Sequence, residues 1–218
     1  PGESGQSVLD YLLQGRHTIP PEEGILLSTT YRMHPRICRF ISDAIYDGRV
    51  SSLAGLEKQL IVGNGSMPDN IRDAGLVCHF VESQNAVQRS DEEAAHIKKL
   101  YDRLLKLKYQ DRLGDVYPID EDNILVVSPY NMQVNNLKRA LGDDARVGTV
   151  DKFQGQEAEV VIVSMATSDP EDIPRGIDFL YSQNRLNVSL SRARILSVLI
   201  LSPQLLDVRC NTIGQMRL

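Results

Sequence analysis

Two short apolar runs on either side of a polar loop constrain the fold of this chain more than any other feature. The runs are Val147–Val150 and Val160–Val163, and both are dominated by β-branched residues. Runs of this length and composition are typical of strands that are buried on both faces. The loop between them contains Gly155, and a glycine lets the backbone approach a ligand closely. We therefore expect a binding loop between two core strands.

Further apolar runs alternate with helical patterns along the chain. The predicted strands lie at residues 25–29, 76–81, 124–128 and 195–201, and predicted helices begin near residues 35, 91, 131 and 182. The clearest helix, 91–109, starts with Ser90 and Glu93, which form a capping box. This alternation favours an α/β fold, with a mainly parallel sheet flanked by helices. We expect one domain at 25–218, preceded by a linker and a short helix at 1–24.

The composition excludes several classes of protein. The chain has 218 residues, of which 42% are hydrophobic and 24% charged, as is typical of a soluble globular domain. Its net charge of −5 gives no overall basic field for polyanions, and no apolar run approaches the ~20 residues of a membrane span. We expect Cys38, Cys78 and Cys210 to be buried free thiols in a reducing, cytoplasmic compartment. Neither these cysteines nor the four histidines have the spacing of a metal site.

Two segments supply arginines that are suited to binding phosphate. Arg32 follows the first predicted strand, in the position where open α/β sheets bind ligands. In the helix that begins near Ser182, the periodicity places Arg185, Ser189 and Arg192 on one face, away from the sheet. Two guanidiniums from separate segments are a common means of gripping a polyphosphate. The alternative is that each arginine pairs with a surface carboxylate.

Other candidate contacts lie beside Arg32 and at the ends of strands. Tyr31 is placed to stack on a base, although it could instead pack under the sheet. Thr149 and the loop of Pro129, Tyr130 and Asn131 lie at strand ends, where hydroxyl, amide and main-chain groups can contact a nucleic-acid backbone.

Three blocks of residues, in this order, resemble motifs IV, V and VI of superfamily 1 helicases. They are Thr30–Pro35, Thr149–Glu157 and Asn184–Arg194, and the last departs only mildly from the family pattern. From Ile25 to Pro203 the chain resembles the second RecA-like domain of these helicases, in the subgroup that contains the nonsense-mediated-decay RNA helicase and the replication helicase–nuclease. The resemblance further points to a bacterial RecB-like nuclease–helicase fusion as the parent protein.

The resemblance implies that the chain is part of a helicase that uses ATP and magnesium and moves on single-stranded DNA or RNA. ATP would bind between two RecA-like domains, with Arg32 and Arg192 as the catalytic residues at the γ-phosphate. The other residues expected at the nucleotide, with Glu157 on a ribose hydroxyl, are Tyr31, Gln154, Gly155, Glu157 and Arg185. The residues expected at the nucleic acid are Thr149, Asp151, Pro129, Tyr130, Asn131 and His34.

Two features of a complete ATPase are not found in this sequence. There is no Gly-x-x-x-x-Gly-Lys-Ser/Thr loop and no Asp-Glu pair at the end of an apolar strand. The resemblance therefore implies a P-loop-type domain without its own Walker A loop, which depends on a first RecA-like domain for the phosphate loop and the magnesium ligands. We expect the chain by itself to hydrolyse no ATP.

Two alternative functions are weighed against the helicase. The first is a degenerate helicase domain that serves as a nucleic-acid or protein scaffold, which would not need Arg32, Glu157 and Arg192. The second is a dinucleotide-binding α/β enzyme. Its fingerprint is incomplete at 63–65, which lacks the third glycine and a preceding strand, so we interpret that segment as a turn.

Overall fold

The computed structural model describes residues 12–13, 16, 18–63, 65, 67–68, 70–83, 85–168, 176–210, 212 and 216. Most of the predicted linker and short helix, one residue of the turn at 63–65 and most of the polar insertion 168–178 lie outside these residues. The strands are β1 (Thr29–Thr30), β2 (Ser51–Ser52), β3 (Leu60–Val62), β4 (Gly75–Phe80), β5 (Lys108–Gln110), β6 (Val116–Pro118), β7 (Ile124–Val127), β8 (Arg146–Gly148), β9 (Ala158–Ser164) and β10 (Ala193–Leu201). The helices are α1 (Pro35–Ile45), α2 (Asp91–Leu104), α3 (Asn131–Leu141), α4 (Ile177–Leu180) and α5 (Gln183–Leu190).

Five of these strands form the central sheet, in the order β4-β10-β9-β7-β8, and every neighbouring pair is parallel. All seven residues of β9 are buried, as the β-branched run predicts. Val161 and Val163 face a core that includes α1 and α5, whereas Val160 and Ile162 face a core that includes α2 and α3. The α/β class and the helix-flanked parallel sheet of a RecA-like domain are therefore confirmed.

Helix α1 starts where the sequence predicts. Pro35 occupies its first turn, and the Nδ1 atom of His34 accepts a hydrogen bond from the backbone N–H of Arg36 at 3.1 Å. Ile37 and Ile41, at helical spacing, are fully buried. This packing fixes the turn that precedes the helix, which is the turn that carries Arg32.

The predicted strand at 25–29 is mostly wrong. Only Thr29–Thr30 pairs, in parallel, with Ser51–Ser52, and this pair is separate from the central sheet. Ile25 and Leu27 are 91% and 85% exposed. An apolar run becomes a buried strand only if other strands and helices cover it, and no described residue covers this one.

Helix α2 is shorter than predicted, and its capping box is only half present. It ends at Leu104, because Lys108–Gln110 pairs antiparallel with β3 and β6 in a small second sheet. The hydroxyl of Ser90 accepts the N–H of Glu93 at 3.0 Å, as predicted. The Glu93 carboxylate does not return to Ser90 but accepts hydrogen bonds from Ser164 Oγ at 2.6 Å and from the Ala166 N–H at 3.1 Å. Glu93 therefore ties the first turn of α2 to the carboxyl end of β9.

The expectation of three buried thiols is also wrong for two of them. Cys38 is buried in α1, but Cys78 is exposed on the edge strand β4 and Cys210 is half-buried. An edge strand has a neighbour on one side only, so part of its surface stays in water. In the described part of the chain, no helix has the length and apolarity needed to cross a membrane.

We predict that Glu93→Gln removes a pH dependence from the stability of the chain. Burial raises the pKa of Glu93 to about 7, although hydrogen bonds from Ser164 and Ala166 lower it. Because the folded pKa lies above the ordinary value, the stabilising effect of the bound proton is present below ~4.5 and is lost as the pH rises through about 7. The glutamine amide can still accept from Ala166 and donate to Ser164, so the variant should fold.

The measurement is the melting temperature of both proteins between pH 5 and pH 8, a window set by that pKa of about 7. As the pH rises, the melting temperature of the variant should increase relative to that of the wild type, by ~2–4 °C for each kcal/mol of difference in the free energy of unfolding. Two curves that run parallel would show that Glu93 does not titrate in this range.

Candidate functional site

A cluster of charged residues lies at the amino edge of the central sheet, where its strands begin. Glu157 directly precedes β9, and Arg194 is the second residue of β10. Arg32 comes from the turn before α1, and that turn is fixed because the His34 N–H donates to the Arg194 carbonyl at 2.8 Å. The sequence predicts Arg32 in the loop after the carboxyl end of a strand, at the edge where open sheets bind ligands; Arg32 does follow β1, but that edge is wrong. The strand before Arg32 lies outside the central sheet, so the arginine reaches the opposite edge.

Glu157 holds two arginines together. One carboxylate oxygen accepts from Arg32 Nε, and the other accepts from Arg194 Nε at 2.9 Å and from Arg194 Nη2. Arg32 Nη1 also donates to the Ser191 carbonyl at 3.2 Å. Burial raises the pKa of the Glu157 carboxyl. The hydrogen bonds and charges of Arg194 and Arg32 lower the pKa by more than burial raises it, so the pKa lies below its usual value. Glu157 is therefore ionised at neutral pH and orients both guanidiniums.

Arg192 is buried beside this pair, and its predicted position on a helix face is wrong. Helix α5 ends at Leu190, so Arg192 lies in the turn before β10 and is only 5% exposed. Its Nη1 donates to the Gln156 carbonyl at 2.9 Å, and its buried Nε has no hydrogen-bond partner among the described residues. Burial and the charge of Arg32 both lower the pKa of Arg192. A buried guanidinium with an unused N–H and a like-charged neighbour favours the binding of an anion.

Arg194 and Glu159 complete the cluster, and neither has a predicted role. Arg194 Nη1 donates to Glu159 Oε1 at 3.3 Å, while Asn123 Nδ2 donates to Glu159 Oε2 at 2.9 Å. The signal in the sequence is the spacing of Arg192 and Arg194, which are two residues apart where a strand begins and can point to one side. Three arginines and two glutamates leave the cluster with a net charge of +1.

Other residues predicted at the nucleotide lie near the cluster on the surface. Tyr31 is 71% exposed beside Arg32, and does not pack under the sheet. Gln154 and Gly155 are exposed in the loop that leads to Glu157. Gly155 has a φ of +81°, and a Cβ atom built on it would meet nothing within 4 Å. The loop therefore requires glycine for its backbone conformation rather than for close packing.

A groove lies at the opposite, carboxyl edge of the sheet, where the loops after β7 and β8 meet. Its cavity of about 230 Å³ is lined by Gln88, Pro129, Tyr130, Asn131, Met132, Thr149, Val150, Asp151 and Arg185. Five of the six residues predicted at the nucleic acid are thus brought together. Parallel strands place their carboxyl ends at one edge, which is where open α/β sheets form binding crevices.

Of the residues predicted at the nucleic acid, His34 does not lie where the sequence places it, whereas Tyr130 and Arg185, the latter predicted at the nucleotide, each line the groove. His34 is 3% exposed and caps α1, so it is not part of the groove. Arg185 lines the groove, and it also lines a second cavity of about 360 Å³ together with Gln154 and Arg192, two other residues predicted at the nucleotide. Tyr130 lies in the groove wall but is itself buried against the Phe179 ring, at 5.7 Å between ring centroids.

The two regions are linked by elements that cross the sheet. The two ends of the seven-residue strand β9 are ~20 Å apart. The loop Thr149–Glu157 runs from the carboxyl end of β8 to the amino end of β9, and α5 runs toward the amino end of β10. Each crossing element therefore has one end at the groove and the other at the arginine cluster.

Comparison with known proteins gives a consistent picture. Residues 5–203 match the family model described as an AAA domain. The chain is 27% identical to the DNA polymerase alpha-associated DNA helicase A of Saccharomyces cerevisiae, over 77% of this chain and 26% of that protein. It is 28% identical to a Regulator of nonsense transcripts 1 homolog of Arabidopsis thaliana, over 84% of this chain and 15% of that protein. It is 29% identical to the DNA-binding protein SMUBP-2 of Rattus norvegicus, over 78% of this chain and 17% of that protein.

Among solved structures, the C-terminal domain of a possible DNA helicase from Lactobacillus plantarum is 14% identical, with a TM-score of 0.42, over 83% of this chain and 94% of that one. The chain spans about a quarter or less of the length of the three relatives from Saccharomyces cerevisiae, Arabidopsis thaliana and Rattus norvegicus. The resemblance to superfamily 1 helicases drawn from the three motifs is confirmed by these relatives.

We predict that Glu157→Gln destabilises the chain by about 1–2 kcal/mol at neutral pH, because it removes the charge that both arginines share. The exposed Glu121→Gln is the matched control and should change little. Since the folded pKa of Glu157 is depressed, its contribution is complete above the ordinary pKa of ~4.5 and is lost as the pH falls below it. Chemical denaturation at neutral and acidic pH measures this. Equal losses for the two variants at neutral pH would contradict the role of Glu157.

Proposed function

The chain belongs to the AAA domain family, and we propose that it is the second motor domain of an ATP-dependent helicase. In this proposal Arg32 and Arg192 complete an ATP site whose phosphate loop lies on a first RecA-like domain, and the groove at the carboxyl edge forms half of a binding site for single-stranded DNA or RNA. The observation that carries the proposal is the convergence of Arg32 and Arg192 beside Glu157, with a buried Arg192 N–H left to bind an anion.

The residues of the cluster fit ATP. The net charge of +1 suits a polyphosphate, and the exposed ring of Tyr31 beside Arg32 can stack on a base. The Oε2 atom of Glu157 accepts one bond, from Arg32, and therefore has a lone pair left for a ribose hydroxyl. Among the described residues, no three metal-ligating side chains converge. We therefore propose that the magnesium ligands come from the first domain.

ATP, when bound, supplies the phosphoryl group whose transfer to water drives the motor. Arg192 would donate from its buried Nε toward the transferring group, and its burial makes that interaction stronger than it would be in water. Arg32 would exchange part of its contact with Glu157 for the phosphate, while Arg194 keeps Glu157 in place. Because this contact is made with the γ-phosphate and lost with ADP, ATP would favour the closed arrangement of the two domains and ADP would let them separate.

A non-catalytic scaffold explains these observations less well. Burying a guanidinium without a partner for its Nε costs free energy, and a scaffold gains nothing in return. In a motor domain the same N–H has a role, because it can bind a phosphate oxygen of ATP. The groove fits the proposal because polar groups from two strand ends line it, as expected for contacts with a sugar–phosphate backbone.

We predict that Arg192→Lys lowers the kcat for ATP, in the protein that contains this chain, by about 10²–10³-fold. Lysine keeps the charge but loses the planar fork that matches two phosphate oxygens. The KM for ATP should change far less, because the contact is strongest in the transition state. The measurement is steady-state ATPase with saturating single-stranded nucleic acid.

Arg146→Lys is the matched control, because Arg146 also contacts Gln156, through its side-chain oxygen at 2.8 Å, but lies outside the proposed ATP site. The burial of Arg192 means that its variant should melt a few degrees lower, so a circular dichroism melt must show that the enzyme is folded at the assay temperature. A folded Arg192→Lys variant with an unchanged kcat would remove Arg192 from catalysis and favour the scaffold.

A further inference from the structure

Arg185 is held in place by a stack of aromatic rings. Its guanidinium lies over the Phe179 ring at 4.5 Å from the centroid, and Phe179 packs against Tyr130. This contact with the ring restricts the positions that the guanidinium can take. Among the described residues no carboxylate forms an ion pair with Arg185. A guanidinium fixed in this way loses little conformational freedom when it binds a ligand.

Arg185 also lies where two cavities adjoin. The groove cavity of about 230 Å³ and a second cavity of about 360 Å³ share Val150, Asp151 and Arg185. The second cavity extends to Arg192 and Gln154, toward the arginine cluster. Of the described residues that line the groove cavity, Arg185 is the only lysine or arginine.

A ligand in the groove needs this charge if it carries phosphates. The chain as a whole is negatively charged, and Asp151 lines both cavities. The Asp151 carboxylate repels a phosphodiester, and the nearest positive charge that lines the same cavity belongs to Arg185. The exposed Met132 and the half-buried Pro129 offer apolar surface for a base on the same wall.

We propose that Arg185 binds a backbone phosphate of the single strand in the groove, and not the phosphates of ATP. The proposal rests on the proposed function, because it assumes that the groove holds nucleic acid. The position of Arg185 in the fold supports this source of the phosphate. Arg185 is in the first turn of α5. Arg192 follows the carboxyl end of that helix, near the amino edge of the sheet, and is ~10 Å along the chain from Arg185.

The test is an anisotropy titration of fluorescein-labelled oligothymidylate and oligouridylate over a series of salt concentrations, with the protein that contains this chain. Arg185→Ala should weaken binding of either oligonucleotide about tenfold. It should also reduce the slope of log K against log salt by about 0.7, the value for one phosphate contact on a single strand. Arg185→Lys should keep the slope and lose part of the affinity, because the charge remains but the ring contact weakens.

Two further variants make the test specific. Phe179→Leu should weaken binding without changing the slope, because it removes the support and leaves the charge. Arg103→Ala is the control and removes an exposed cation from the last turn of α2. The first turn of α2 is hydrogen-bonded to the carboxyl end of β9, so Arg103, at the far end of the helix, lies toward the amino edge of the sheet and away from the groove. The Arg103→Ala variant should have the same oligonucleotide affinity and the same salt slope as the wild type.

Binding of a fluorescent ATP analogue to the same proteins separates the two sources of phosphate. The proposal expects unchanged affinity for the analogue in Arg185→Ala. A variant that binds the analogue weakly and the oligonucleotides normally would overturn the proposal and make Arg185 a nucleotide ligand. An equal loss in Arg103→Ala would also overturn it, since only net charge would then matter. A wild-type protein that binds no oligonucleotide would reject the nucleic-acid part of the proposed function itself.

Discussion

The ion pairs of Glu157 with Arg32 and Arg194 are the interaction on which the arrangement of this site depends. They join three segments that are far apart in the chain: the turn before α1, the start of β9 and the start of β10. Without the carboxylate, the guanidiniums of Arg32, Arg192 and Arg194 would repel one another at short range, because a partly buried site screens charge less than water does. Glu157 therefore makes it possible to concentrate positive charge at one edge of the sheet while the chain as a whole is acidic.

The central sheet gives the two candidate sites a common support and keeps them apart. The arginine cluster lies where β9 and β10 begin, and the groove lies where β7 and β8 end. The strands between them are buried on both faces and do not deform easily. The loop Thr149–Glu157 and helix α5 each reach both regions, and the cavity lined by Arg185 and Arg192 lies beside them, so a change at Arg192 has a short route to the groove.

Much of this fold could be predicted from the sequence, and the errors have clear physical causes. The buried strands β7 and β9 and the starts of α1 and α2 depend on local pattern and capping, which a sequence displays directly. The strand predicted at 25–29 requires covering partners, and α2 ends early because Lys108–Gln110 pairs with a distant strand, which no local pattern shows. The motifs identified Arg32 and Arg192, but not the edge of the sheet that they occupy. The spacing of Arg192 and Arg194 indicates that both arginines can point to one side, but the pairing of Arg194 with Glu157 and the position of Arg185 over Phe179 are tertiary contacts that no local pattern shows.

We propose that Arg32 and Arg192 receive the γ-phosphate while Arg194 keeps Glu157 in place. The most direct measurement is a crystal structure of the protein that contains this chain, bound to a non-hydrolysable ATP analogue and single-stranded nucleic acid. We expect that Arg32 turns from Glu157 to an oxygen of the γ-phosphate, that the Arg192 Nε gains a phosphate oxygen as its partner, and that the pair of Arg194 with Glu157 stays intact. An analogue bound elsewhere, with Arg32 still on Glu157 and the Arg192 Nε still unpartnered, would contradict it.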